Sequence, residues 1–456
     1  MPVAHRLSVV LAAAAATLGF LPARELEPRT PARLTAFYAL IGPDSSAASA
    51  ARTEIEKQWD NSYAILLVEL APFAPDRGTL DRLIGLLERG TGQRFGREMD
   101  RWYQWIWQTQ PDMHPEYAEF KAALYEAIDP RFREYFGGSP PTSIRLDEIR
   151  WGGVVRDGIP PLDHPKMISA GSADYLQDDN VVFAIELAGD ARAYPKRILA
   201  WHEMVRDRIG GRELAGVYCT LCGSMIFYDP VIRGRHHVLG TSGFLYRSNK
   251  LMYDAATKSL WSTLGGEPVV GALVGQGLKL EPLFVVTTTW GEWRKLHPAT
   301  QVLSLDTGHR RDYGEGVAYH DYFATDELMF GVPRLDRRLP NKAEVLALRF
   351  GAAGEAPLVI AADFLRQHPT YQGRFGGTGF VVLTDRSGAN RVYQAGDRSF
   401  PAWDGGPTVR SADGARWTVS EGGLRGADGA LLRRLPAHRA FWFGWSSAFP
   451  DTRLVQ

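Results

Sequence analysis

Between residues 31 and 140 apolar positions recur at helical spacing. Tyr63-Ala-Ile-Leu-Leu-Val-Glu-Leu70 ends at Pro72, and Leu80, Leu83, Ile84 and Leu87 precede Gly90 and Gly92. Trp102, Trp105 and Ile106 share one face of the next segment, and Phe120, Leu124 and Ile128 mark another before Pro130. At that spacing the aromatic stripe at 102–107 reads as core rather than as a ligand box. Gly137-Gly-Ser-Pro-Pro141 signals a linker, and beyond it the pattern changes to short apolar runs separated by Gly and Pro. Val181-Val-Phe-Ala-Ile-Glu-Leu187, Leu214 to Tyr218, Met225 to Tyr228 and Phe284-Val-Val-Thr-Thr-Thr289 read as strands.

The β-rich region repeats itself. Trp290-Gly-Glu-Trp293 is followed by Leu296-His-Pro-Ala-Thr300, and Trp442-Phe-Gly-Trp445 by Ala448-Phe-Pro-Asp-Thr452. Both Trp, the Pro and the Thr fall at identical spacing. Upstream, Val182 to Leu187 parallels Val345 to Phe350, and Gly216 to Tyr228 parallels Val381 to Tyr393, which sets Cys219 opposite Thr384 and Cys222 opposite Ser387. The expected fold class is α+β: a helical N-terminal domain, whose paired helices resemble HEAT-like units, and a β-rich core built from two related halves. The expected division is 1–23 a signal peptide, 24–140 helical, 141–330 the half with sulfur, and 331–456 the half without it.

Composition narrows the function. The 52 Lys and Arg balance 52 Asp and Glu over 456 residues, which removes the electrostatic case for nucleic acid as partner. Arg6 precedes a run from Leu7 to Leu21 that is apolar or small throughout, the length of a signal h-region and short for a membrane span. Ala23 alone meets the small-x-small cleavage rule, so an uncleaved anchor stays open. A periplasmic or secreted chain with no integral span after processing is expected, with a small molecule or a protein as partner. Only two Cys occur, three positions apart, so disulfides do not hold the fold.

Cys219-Thr-Leu-Cys222-Gly223 lies between two strand-like runs and reads as a hairpin tip. Covalent haem needs His after the second Cys, where Gly223 stands. A dithiol exchanger normally sits at a helix N-terminus. Gly after the second Cys suits a metal knuckle turning with positive φ. Two thiolates, or two with a His, suit a soft ion such as Cu(I), so copper is the expected cofactor and Cys219, Cys222 and His202 its expected ligands. An oxidoreductase follows if that metal is redox-active or if the pair exchanges disulfides. The third alternative is a turn-pinning disulfide in a β-rich binding module.

His202, in Ala200-Trp-His-Glu-Met204, is a candidate base as well as a ligand, or it packs a helix ending near Gly210. Thr241 to Asp254 alternates polar with apolar side chains, and Tyr246 and Asp254 join His202 as catalytic candidates. Ser242, Ser248 and Tyr253 line the same stretch, which also reads as turns and cross-strand pairs. His236, His237 and His309 lie in Arg-rich loops and read as exposed.

Asp157-Gly-Ile-Pro-Pro-Leu162, Trp201-His-Glu203, Tyr218-Cys-Thr-Leu-Cys-Gly223, Ser259-Leu-Trp261 and Thr288-Thr-Trp-Gly-Glu-Trp293 together resemble a family of exported bacterial and archaeal proteins classed as a domain of unknown function. Its typical member has Cys-Pro-Leu-Cys where this chain has Cys-Thr-Leu-Cys. The resemblance is strong over 145–325 and looser beyond. It implies export and a shared β-rich fold, and carries over no catalytic role.

Overall fold

The computed structural model describes residues 33–456, so the expected signal peptide at 1–23 lies outside the described residues. They form two compact units, one ending at Asp60 and one running Asn61–Gln456. The first contains helices Leu34–Ala39 and Ser45–Lys57, the second capped by the Asp44 carboxylate, which accepts the Ser46 and Ala47 amides.

The second unit opens with helices and continues as sheets, a mixed α+β fold. Helix Tyr63–Leu70 is buried on every side, as its unbroken apolar run demands. Helix Arg77–Thr91 starts at the Asp76 cap and stops at Gly92, whose φ of 73° only glycine adopts freely. Helices Met99–Thr109 and Tyr117–Glu126 follow, with Trp102 and Ile106 buried. Among the described residues no helix is long and apolar enough to cross a membrane.

Three five-stranded sheets occupy the region from 149 to 303. One carries the hairpin Arg212–Cys219 and Ser224–Asp229, paired in register Cys219 to Ser224. A second is built on the hairpin Leu239–Tyr246 and Asn249–Asp254. The third centres on the hairpin Val181–Leu187 and Asp190–Pro195. Strand Val286–Thr289 flanks it antiparallel, and Gln301–Leu303 flanks it parallel on the other side; helix Trp290–Leu296 joins the two flanks. Further along, hairpin Glu344–Leu348 and Leu358–Ala361 has an antiparallel flank, Ala437–Phe441, and a parallel one, Arg453–Val455, joined by helix Trp442–Ala448. A core of Val217, Ile226, Trp261, Val345, Val359, Trp442 and Trp445 ties the sulfur-bearing sheet to this later one.

Candidate functional site

The loop Thr220 to Gly223 closes the hairpin, as the flanking apolar runs predict. Gly223 holds φ +59°, and a Cβ there would lie 2.8 Å from the Phe441 ring, so glycine is required twice over. Cys219 and Cys222 are bonded to each other as a disulfide. Both are buried, at 1% and 0% exposure, under Tyr322, Val332, Phe441 and Phe443. The Phe441 amide donates to the Cys222 carbonyl at 2.7 Å, and the Tyr322 hydroxyl donates to the Leu221 carbonyl at 2.7 Å. The cover over the sulfurs is therefore hydrogen-bonded to the loop itself.

Beneath the loop lies a charged network absent from the sequence reading. Thr220 Oγ1 donates to Glu203 Oε1 at 2.9 Å, Tyr319 donates to the same oxygen at 3.2 Å, and Lys250 Nζ stands 3.1 Å from Glu203 Oε2. Burial holds the Lys250 ammonium below the ordinary lysine range, against the pull of Glu203. Glu203 itself caps helix Lys196–His202 with φ +54°, and its carbonyl accepts the Tyr218 amide. That turn ends the helix at His202 and starts strand Met204–Ile209, so the helix does not run on toward Gly210.

The structure gives His202, Tyr246 and Asp254 separate surroundings. His202 is fully buried, with Nδ1 2.9 Å from the Pro160 carbonyl and Nε2 2.6 Å from the Tyr313 hydroxyl. A carbonyl only accepts, so Nδ1 carries the proton and Nε2 accepts from Tyr313. Burial pushes its pKa down to about 4. The unfolded chain therefore takes up the proton first as pH falls. The stability His202 contributes is complete above about pH 6.5 and is lost toward pH 4, roughly 3 kcal/mol across that window. His202→Gln should remove that share, read as the difference between wild-type and variant urea midpoints at pH 7 and 4.5. Equal pH dependence in both would refute the assignment.

Asp254 grips a turn. Its Oδ1 accepts the Ala256 and Thr257 amides, and its Oδ2 lies 2.8 Å from His237 Nδ1. His237 is thus buried, contrary to its Arg-rich neighbourhood, because Asp254 compensates it. Tyr246 pairs across the sheet with Ile149, and burial pushes its hydroxyl up to about 12. Ser242 bridges a bulge, donating to the Leu251 carbonyl at 2.6 Å. Ser248 donates to the Phe330 carbonyl and Tyr253 to Asp157, so this polar stretch is spent on internal bonds. Among the described residues no group of three or more His, Cys, Asp or Glu side chains is gathered to hold a metal ion.

On the far side of Gly223 a cavity of about 150 Å³ opens, lined by Lys196, Tyr218 and Phe441 among others. Lys196 stands with Nζ 4.1 Å over the Phe323 ring, and burial lowers its pKa. The sequence held no local signal for either lysine. Lys196 is followed by Arg197 and Lys250 follows Arg247-Ser-Asn249, so their polar neighbours hide the burial that the fold imposes.

The family described as Protein of unknown function (DUF3179) matches residues 156–452. No curated protein and no solved structure matches the chain.

Proposed function

The chain belongs to this family of proteins of unknown function, and we propose that the matched region is a binding module in which the Cys219–Cys222 disulfide is a structural staple. The burial of both sulfurs under side chains bonded to their own loop carries this reading. A partner thiol needs an exposed sulfur to attack, and none is offered. Export, read from residues 1–23, fits a disulfide kept oxidised.

Two related halves form this module in our reading. Trp293 Nε1 donates to Thr300 Oγ1 at 2.9 Å, and Trp445 Nε1 donates to Thr452 Oγ1 at 3.1 Å. His297 packs on Trp293 as Phe449 packs on Trp445. These matching pairs, set in sheets of matching connection, favour duplication over chance. The HEAT-like reading of the helical region rests on its paired helices; the fully buried helix Tyr63–Leu70 favours a cap built around one central helix.

Thiol–disulfide exchange is the second reading, favoured by the buried Glu203–Lys250 pair bonded to Thr220 between the two sulfurs. A reduction potential below about −300 mV is expected for the staple, and one near −200 mV would overturn it in favour of exchange. Cys219→Ser/Cys222→Ser should cost about 2 kcal/mol, the modest value proper to a short loop, with the fold intact by circular dichroism. Metal analysis of copper-replete protein beside this variant tests the copper reading. Stoichiometric copper that disappears in the variant would replace the staple with a Cu(I) site; copper-free protein keeps it.

A further inference from the structure

The cavity beside Gly223 has walls of two kinds. Val181, Phe183 and Phe441 supply apolar surface, and the polar side includes Lys196, Tyr218, Glu344 and Arg439. The other cations around it have their acceptors. Arg439 binds Glu344 and the Gly388 carbonyl, and Arg366 binds Asp363. Lys196 makes no hydrogen bond or ion pair among the described residues: Glu344 and Glu315 act on it only at longer range, and its ammonium lies over the Phe323 ring. The Tyr218 hydroxyl, on a side chain only 1% exposed, likewise has no hydrogen-bond partner among the described residues. A half-buried ammonium and a buried hydroxyl, neither of them hydrogen-bonded, face one cavity whose lining carboxylate, Glu344, is already held by Arg439. The cavity volume of about 150 Å³ is the size that holds one benzene-sized body.

We propose that this cavity binds a small monocarboxylate, its carboxylate between Lys196 and Tyr218 and its apolar body against Val181, Phe183 and Phe441. The proposal rests on the binding-module reading and names the ligand class. A carboxylate suits the site because it supplies one charge and two acceptor oxygens while leaving the rest of the molecule apolar. Phosphate would bring a larger charge and no apolar body for the three apolar walls.

Calorimetric titration of the purified protein with butyrate and benzoate, against butyramide, benzamide and inorganic phosphate, tests it. Both acids should bind, and their amides roughly ten- to hundredfold more weakly, the size of a charge-assisted hydrogen bond. Lys196→Met should weaken the acids by the same factor, and Tyr218→Phe by roughly two- to tenfold. Thermal unfolding of each variant separates lost binding from lost fold, and the acid–amide comparison on wild type stands if a variant does not fold. Absence of binding by both acids, equal binding of acid and amide, equal competition by phosphate, or unchanged affinity in folded Lys196→Met would each overturn the proposal. If the acids fail to bind while the disulfide proves inert to exchange, the ligand class falls and the staple stands. If the acids bind while the disulfide exchanges, only the staple falls.

Discussion

Glu203→Ala is expected to lower the unfolding free energy by about 3–5 kcal/mol, because it leaves the Lys250 ammonium buried without its counter-charge. Lys250 is 5% exposed and Glu203 is 7% exposed, so water cannot substitute for the lost carboxylate. Thr220 and Tyr319 lose their acceptor at once, and Lys250 is left with only the backbone carbonyl of residue 203, at 3.3 Å. The backbone term cancels, since Ala and Glu are disfavoured alike at φ +54°. Adding Lys250→Met should recover much of the loss, because removing both charges also removes the cost of burying them. Urea denaturation at pH 7 reads both steps. A loss below about 1 kcal/mol in the single variant would mean the pair behaves as a solvated surface bridge. The sulfur loop should respond too: with Thr220 released, dithiothreitol should reduce the disulfide faster than in wild type.

How far the sequence led depends on whether a residue's partners are local or remote. Helix Tyr63–Leu70 and helix Arg77–Thr91 were legible from spacing, a Pro and a terminal glycine, all local signals. The hairpin around Cys219 and Cys222 was legible for the same reason, including the positive φ at Gly223. The fate of the sulfurs was not, because Tyr322, Val332 and Phe441 reach them from segments about 100 and 200 residues further along, and nothing at 219–223 encodes that. His237 and Asp254 were read apart, one as exposed and one as catalytic, when each explains the other's burial. Glu203, beside His202, drew no reading of its own, because its role needs Lys250, which comes from a different sheet.

Trp445→Ala should cost more than Trp293→Ala, although the two positions correspond in the repeat. Both indoles are buried, both donate to a Thr seven residues on, and both stack on the side chain four residues on. Local bonding therefore predicts equal losses. Packing separates them. Trp445 sits in the core that joins the sulfur-bearing sheet, the sheet of Trp261 and the later sheet of Val345 and Val359. Trp293 packs in a smaller cluster with Trp290, Val182 and Val302, confined to its own sheet. A cavity between three sheets has less freedom to collapse than one at the edge of a single sheet, so the cavity cost stays with it. Loss for Trp445→Ala should lie near the top of the range of about 3–5 kcal/mol and for Trp293→Ala near the bottom. Urea midpoints of the two variants decide this. Equal losses would show that the stacked, hydrogen-bonded pair, and not the junction it occupies, sets what these tryptophans contribute.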